Sequence, residues 1–362
     1  MNHQNMDILF SYGWESSSEP SFAPYRHQGM SAARIIREGR GLYLAICSEG
    51  TVLLEHSGTF RNLLDLGVQQ HPVIGDWCAI RMHAPKRALL ESVLPRKNQF
   101  SRPAAHEGKK VQAEAKPVAA NIDGAVIVQD CAHDYNPRRI ERFLSLLSAQ
   151  QIPTILVLTK ISLIADLQAL KEESSRRFPG LHICLADSLD GRGIDELSAL
   201  FHARMTYMLL GTSGAGKSTL VNALGAAEIA QTGAVRSQDG RGRHTTTARY
   251  LHLMPNGSLV LDTPGIRTVA VHGSRSEIDG SFADIAALAT QCRYGDCTHT
   301  VESGCALLHA VAEGTLPRDR YEHFLRLATE ALSNEELLRR SKEKKREIGR
   351  LQYRMRREGS NP

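Results

Sequence analysis

The sequence predicts a multidomain α/β protein: a small all-β barrel, then an alternating α/β domain built on a parallel sheet, then a helical, cysteine-bearing carboxyl region. Three observations carry this reading. The β-type runs Leu42-Tyr43-Leu44-Ala45-Ile46, Thr51-Val52-Leu53-Leu54 and Trp77-Cys78-Ala79-Ile80 are punctuated by Gly41, Gly50, Gly58, Gly67 and Gly75, as in a small barrel. Continuous apolar runs such as Ala125-Val126-Ile127-Val128 and Thr154-Ile155-Leu156-Val157-Leu158 alternate with helical stretches, as buried parallel strands do. Finally, a glycine-rich turn, Gly211 to Thr219, stands between an apolar strand, Tyr207 to Leu210, and a helix.

Taken in order, residues 1–33 show little periodicity and are expected to form a flexible extension, with the barrel over 34–97. Residues 98–116 are polar and basic with Pro103 and Gly108, a linker. The α/β domain is expected over 117–272, with a helix at 138–150 and a further strand at Ile183-Cys184-Leu185. Residues 273–362 form the carboxyl region, which ends in a basic arm. Between Arg339 and Arg357 ten Lys and Arg residues face only Glu343 and Glu347.

At 362 residues the chain exceeds one ordinary core. No apolar run approaches the roughly 18–20 residues of a membrane span, and Met1 to Pro20 lack a basic-then-apolar leader pattern, so a soluble cytoplasmic protein is expected. Of seven cysteines, Cys292, Cys297 and Cys305 cluster around His299 while the others stand apart. That distribution favours a metal site over a disulfide framework.

The turn Gly211-Thr212-Ser213-Gly214-Ala215-Gly216-Lys217-Ser218-Thr219 fits G-x-x-x-x-G-K-[ST]. Its amides would cradle a β-phosphate at a helix N-terminus, with Lys217 spanning β- and γ-oxygens. The chain is therefore expected to bind a nucleoside triphosphate. Downstream, Asp262-Thr263-Pro264-Gly265 ends the strand Leu259-Val260-Leu261 and matches D-x-x-G, where the carboxylate holds Mg²⁺ through water and the Gly265 amide senses the γ-phosphate. Between them lies the basic, hydroxyl-rich stretch Gly240 to Thr247, in which Thr246 can complete the Mg²⁺ shell beside Ser218.

The base-recognition element N-K-x-D normally follows D-x-x-G, and nothing of that type follows Gly265 here. Its counterpart lies upstream: Thr159-Lys160-Ile161-Ser162 follows one strand, and Ala186-Asp187-Ser188 follows the next, in the place of the loop that contacts guanine O6. The motifs run in rotated order. A circular permutation would keep every loop at the carboxyl edge of one sheet while moving the chain ends.

With these motifs, Pro72-Val73-Ile74-Gly75-Asp76-Trp77, Ala120-Asn121-Ile122-Asp123 and Gly242-Arg243-His244-Thr245-Thr246-Thr247, the chain resembles the circularly permuted, small-ribosomal-subunit-dependent GTPases of the RsgA family from about Arg34 onward. The resemblance implies an amino-terminal OB-fold, a permuted P-loop GTPase domain with helices on both faces of its sheet, and a zinc domain. It also implies hydrolysis of GTP to GDP and phosphate, stimulated by the small subunit and its rRNA in late maturation, by a monomer. The pattern C-x4-C-x-H-x5-C over Cys292, Cys297, His299 and Cys305 suits one closed structural Zn²⁺. Core cysteines beside a surface histidine are the alternative.

One departure concerns the base. Thr159 and Ser162 stand where the pattern has Asn and Asp, and a serine cannot supply a carboxylate's bidentate contact to guanine N1–H and N2–H₂. Asp187 either substitutes for that acid or merely caps its own turn. Ile266 follows Gly265 where many GTPases have glutamine, so the water-orienting group must come from elsewhere. His244 is the candidate, with a phosphate or RNA contact as its other reading. RNA partnership is suggested by the barrel, by Arg293 and Tyr294, and by the basic arm. An RNA-binding assembly module with a degenerate nucleotide pocket, and an NTPase that also accepts ATP, remain open beside the GTPase.

Overall fold

The computed structural model describes residues 8–39, 42–102, 116–225, 249–262, 278–279 and 282–329. The switch stretch around His244 and Thr246, Gly265, most of the expected linker and the basic arm lie outside the described residues. The chain divides into two compact units. The first comprises Met1–Ser101, Pro117–Asn136 and Gln150–Thr268; the second comprises Arg102–Lys116, Pro137–Ala149 and Val269–Pro362.

The amino-terminal segment is a correction to the sequence expectation. Residues 8–33 are folded rather than an extension: helix α1 (Glu19–Arg26) and strand β1 (Ser31–Glu38) belong to them, so the barrel begins before residue 34. Leu9, Trp14, Phe22 and Met30 pack against Trp77, Ala79 and Leu94, and Trp14 meets the Trp77 ring edge-on at 4.7 Å. Four large apolar side chains in about twenty residues bury enough surface to hold a segment that has no helical or strand periodicity.

The barrel consists of β1, β2 (Tyr43–Cys47), β3 (Gly50–His56), β4 (Trp77–Ala84) and β5 (Arg87–Val93), in the order β1-β2-β3-β5-β4 and closed by β1 pairing with β4. Helix α2 (Gly58–Asp65) links β3 to β4, as in an OB-fold. Ser57 caps it by accepting from the Phe60 amide at 3.0 Å, and Phe60 closes the barrel core with Ile35, Val52, Leu54, Ile80 and Leu90. β6 (Gln99–Arg102) then pairs with β7 (Lys116–Ala120) in a two-stranded sheet.

The nucleotide-type sheet has the order β10-β9-β8-β11-β13-β12, from β8 (Gly124–Asp130), β9 (Thr154–Thr159), β10 (His182–Ala186), β11 (Thr206–Leu210), β12 (Tyr250–Leu253) and β13 (Leu259–Asp262). All but β12 run parallel. β8 and β11 are buried along their whole length, which explains the apolar runs Ala125 to Val128 and Tyr207 to Leu210. The helices in chain order are α3 (Pro137–Ala149), α4 (Leu167–Arg177), α5 (Ile194–Ala199), α6 (Lys217–Gly225), α7 (Ala283–Ala289) and α8 (Ala306–Ala312).

Although α3 lies between β8 and β9 in the chain, it groups with the second unit. Its Glu141 is buried and pairs with His323 Nδ1 on the helical stretch 318–329, whose Arg320 also reaches Asp284 at 2.9 Å. Phe282, Ile285, Leu307, Phe324 and Leu327 fill that unit's core.

Barrel and sheet of the first unit are joined around Arg34, which is 2% exposed. Its guanidinium donates to the Gly75 carbonyl (3.3 Å), the Asn121 carbonyl (3.1 Å), Thr206 Oγ1 (2.9 Å) and the Tyr12 carbonyl, and lies 5.3 Å from the Trp77 ring. Burial pulls its pKa down to about 10, with Asp123 and Asp76 opposing. Arg34→Met would leave those acceptors buried and unpaired, so it is expected to lower stability by roughly 2–4 kcal/mol. Denaturant unfolding of the variant beside the wild type measures it.

Candidate nucleotide and metal sites

Because β8, β9, β10, β11 and β13 run parallel, their carboxyl ends lie at one edge of the sheet. The turn after β11 is the phosphate loop. Gly211 has φ +154°, and a Cβ there would sit 2.3 Å from the Val128 carbonyl oxygen, so glycine is required for the loop to leave β11 against β8. Ser213 and Gly214 are exposed and Ala215 is buried, while Ser218 and Thr219 stand exposed on the first turn of α6. Thr212 Oγ1 donates to Asp134 Oδ2 at 3.2 Å.

Lys217 is folded back over this loop, donating to the carbonyls of Gly211 (2.9 Å) and Thr212 (2.8 Å). An ammonium has three N–H donors, so one remains for a phosphate oxygen. Burial lowers its pKa, with the charge of Asp262 opposing. Asp262, at the end of β13, accepts from Ser218 Oγ at 3.0 Å through Oδ2. Its Oδ1 is buried and has no partner among the described residues. Burial raises the Asp262 pKa, against the opposing effects of Ser218 and Lys217. A buried carboxylate oxygen without a donor, beside an exposed serine hydroxyl at the phosphate loop, fits the water-bridged side of a Mg²⁺ shell.

The base loop is held against the phosphate loop by Thr159, whose Oγ1 lies 2.8 Å from the Ala215 carbonyl and 3.2 Å from the Gln129 carbonyl. Lys160 takes a left-handed conformation, φ 61°, and its Nζ meets Asp130 Oδ2 at 2.6 Å. Ile161 is buried, so its side chain anchors the loop. Ser162 is exposed, and its Oγ donates to Asp187 Oδ2 at 2.6 Å. Gly193, φ +71°, closes the Asp187 loop where a Cβ would lie 1.9 Å from the Leu185 carbonyl. Ser188 is partly exposed on that loop.

Asp130 is a residue that the sequence reading missed. Desolvation would raise its pKa, yet Lys160 and the amides of His133 and Ala132 hold it below the ordinary carboxylate range. The available signal was an acid ending a strand that is otherwise apolar apart from Gln129.

In the second unit, Cys292, Cys297, His299 and Cys305 bring their ligand atoms within 4.8 Å of one another. His299 Nδ1 lies 3.5 Å from Cys292 Sγ and 3.6 Å from Cys305 Sγ, and the two sulfurs are 3.9 Å apart. A tetrahedron with metal–sulfur bonds of about 2.3 Å has edges of roughly 3.8 Å, so the set is compatible with a structural zinc. Tyr321 O–H donates to the His299 carbonyl and the Ala306 amide to Cys292 Sγ, fixing two ligands from behind.

Comparison with known proteins bears on which nucleotide this edge serves. The RsgA GTPase family profile matches residues 93–272. The chain is 36% identical over 337 residues to the small ribosomal subunit biogenesis GTPase RsgA of Streptomyces coelicolor, a match spanning 91% of this chain and 88% of that protein. The chain belongs to the RsgA GTPase family.

A second RsgA relative, small ribosomal subunit biogenesis GTPase RsgA 2 of Vibrio parahaemolyticus, is 34% identical over 95% of this chain and 91% of its own. Among solved structures, YjeQ from Thermotoga maritima matches with TM-score 0.61 and 25% identity, covering 84% of this chain and 99% of that one. YloQ, described as a circularly permuted GTPase, matches with TM-score 0.59 and 25% identity over 84% of this chain and 96% of its own. The rotated motif order is thus the RsgA arrangement, the chain is a GTP-hydrolysing enzyme by family, and GTP with Mg²⁺ is what the RsgA assignment implies.

Thr159 does for this RsgA chain what its neighbouring carbonyls require: it bridges base loop and phosphate loop with one hydroxyl. Thr159→Val keeps the shape and removes the bridge, worth about 1 kcal/mol. Guanine-nucleotide affinity is expected to fall roughly fivefold with the fold intact, read by titration with a fluorescent GDP analogue.

Proposed function

We propose that this chain acts in late maturation of the small ribosomal subunit, binding GTP at the loop edge, docking on the subunit's rRNA, and leaving after hydrolysis to GDP and phosphate. The observation that carries this is the approach of Thr159 to the phosphate loop, 2.8 Å from Ala215, which puts base-type and phosphate-type loops within one nucleotide's reach. The small-subunit partner comes from the printed names of the relatives.

Each residue has a task in this reading. Gly211 to Gly216 offer amides to the β-phosphate, and Lys217 offers its remaining N–H to the β- and γ-oxygens. Ser218, Thr246 and, through water, Asp262 would hold Mg²⁺, which offsets charge on the phosphates when bound. Gly265 would sense the γ-phosphate. With Ile266 unable to hold a water, His244 orients it when the subunit is bound. Cys292, Cys297, His299 and Cys305 hold a structural Zn²⁺. The barrel, Arg293, Tyr294 and the basic arm contact RNA, the protein is a cytoplasmic monomer, and the working domains are a barrel that begins at Ser31 rather than at residue 34, followed by those expected over 117–272 and 273–362. No helix among the described residues is long and apolar enough to cross a membrane.

Thr159 and Ser162 favour a second reading, an RNA-binding assembly module with a degenerate pocket or relaxed GTP/ATP choice. Turnover of GTP and of ATP, each with and without small subunits, separates the two. GTP hydrolysis should rise by more than about tenfold with subunits, as an assembled catalytic group requires, and His244→Ala should bind GTP normally while losing that rise. Turnover that ignores the subunit would sink the proposal.

Zinc has its own test. Metal analysis is expected to give one zinc per chain, and its removal by chelation should melt the second unit's helices at lower temperature, because ligand binding and folding of a small metal domain are coupled. Metal-free protein with an unchanged melt would exclude the site.

A further inference from the structure

The family pattern places an acid at the fourth position of the base loop and a small residue on the loop after the next strand. In this chain the two are exchanged: Ser162 holds the first position and Asp187 the second. Asp187 Oδ2 accepts from Ser162 Oγ at 2.6 Å and from the Ser162 amide at 3.1 Å, and Oδ1 accepts from the Leu189 amide at 3.0 Å. The carboxylate on the second loop is thus bonded to the serine on the first, and the charge sits on the loop that follows β10.

Exposure decides which of the two meets a ligand. Ser162 is exposed and Asp187 is 2% exposed, so the serine hydroxyl is in front and the carboxylate behind it. On the same two loops Leu163 and Leu189 are exposed by 61% and 89%, apolar surface of the kind that the flat faces of a purine use.

A free serine hydroxyl does not discriminate, because it can rotate to accept from guanine N1–H or to donate to adenine N1. An ionised carboxylate at hydrogen-bond distance removes that choice. It accepts the hydroxyl's hydrogen bond, and a short O–H···O⁻ bond is among the stronger ones a protein makes. The Ser162 oxygen is then left with lone pairs only toward the mouth of the site. Guanine presents two donors there, N1–H and N2–H₂; adenine presents an acceptor, N1, which that oxygen repels. Burial works against ionisation of Asp187, but the hydrogen bonds from Ser162, Leu189 and Asp190 hold its pKa below the ordinary carboxylate range, so the lock persists at neutral pH.

We infer that guanine selectivity in this chain is set by the Ser162–Asp187 couple, with Asp187 a positioning residue that fixes the Ser162 hydroxyl as an acceptor for the base edge. This rests on the reading of the edge as a GTP site.

The test is competitive binding of GDP and ADP, read with a fluorescent nucleotide, on the full chain and on three variants whose melting curves are also recorded. Wild type is expected to prefer GDP. Asp187→Ala frees the hydroxyl, so the GDP-to-ADP affinity ratio should fall by about tenfold or more, with ADP binding kept or improved; a loop that had merely collapsed would weaken both alike. Ser162→Ala, at an exposed position, should lose the same preference. The double exchange Ser162→Asp with Asp187→Ser should recover it, which is the coupling that a double-mutant cycle isolates. An unchanged ratio in Asp187→Ala or Ser162→Ala, or no recovery in the exchange, overturns the couple while GDP binding itself upholds the nucleotide site. A wild type that binds GDP and ADP equally overturns the couple alone. One that binds neither overturns the GTP reading as well.

Discussion

The nucleotide site depends on a single constraint: five parallel strands, β8, β9, β10, β11 and β13, end at the same edge of one sheet. Hydrogen-bond register fixes where each strand stops, so the turns that follow are delivered side by side regardless of the order in which the chain visits them. In this chain that order is rotated, with the base loops made before the phosphate loop. The edge does not register the difference, because pairing is local in space and indifferent to sequence separation once the sheet is closed.

Charge is then distributed along that edge in a graded way. The phosphate end carries Lys217 and the amides of a helix start, with the hydrogen-bonded pair of Ser218 and Asp262 beside them. The base end carries acids: Asp130 engages Lys160, and Asp187 engages Ser162. A nucleotide is itself graded, anionic at one end and, for guanine, rich in donors at the other. The edge is graded in the same sense, and Thr159, bonded to Ala215, keeps its two ends at a fixed separation.

The sequence elements around Gly75 and Asn121 serve a different purpose from the one their motif character suggests. Asp76, fully buried, receives Arg96 through two bonds of 2.7 and 2.8 Å and the Val73 amide at 2.7 Å. Gly75, φ +89°, lies so near the Ala120 carbonyl that a Cβ would come within 2.2 Å of its oxygen. Asn121 donates to the Gly75 carbonyl, and Arg34 reaches both sides. These residues build the joint between barrel and sheet within the first unit. A joint of this kind consists of buried polar groups that must all be satisfied together, which makes it intolerant of single changes.

Local chemistry written in short stretches of chain was legible from the residues alone. The glycine-rich turn after β11, the Cys-His spacing and the barrel's glycine punctuation each act through contiguous backbone, so they can be read without coordinates. The fold of residues 8–33 was not legible, because Leu9, Trp14, Phe22 and Met30 have no period of their own and become ordered only against Trp77 on a distant strand. Asp130 was hidden for the same reason: its partner Lys160 is thirty residues away and adjacent only because β8 pairs with β9. The sequence by itself determined that this chain carries a triphosphate loop and a possible replacement acid at Asp187. Only the tertiary structure decided that Asp187 stands behind an exposed Ser162, since burial and hydrogen-bond direction are properties of packed neighbours and not of residue order.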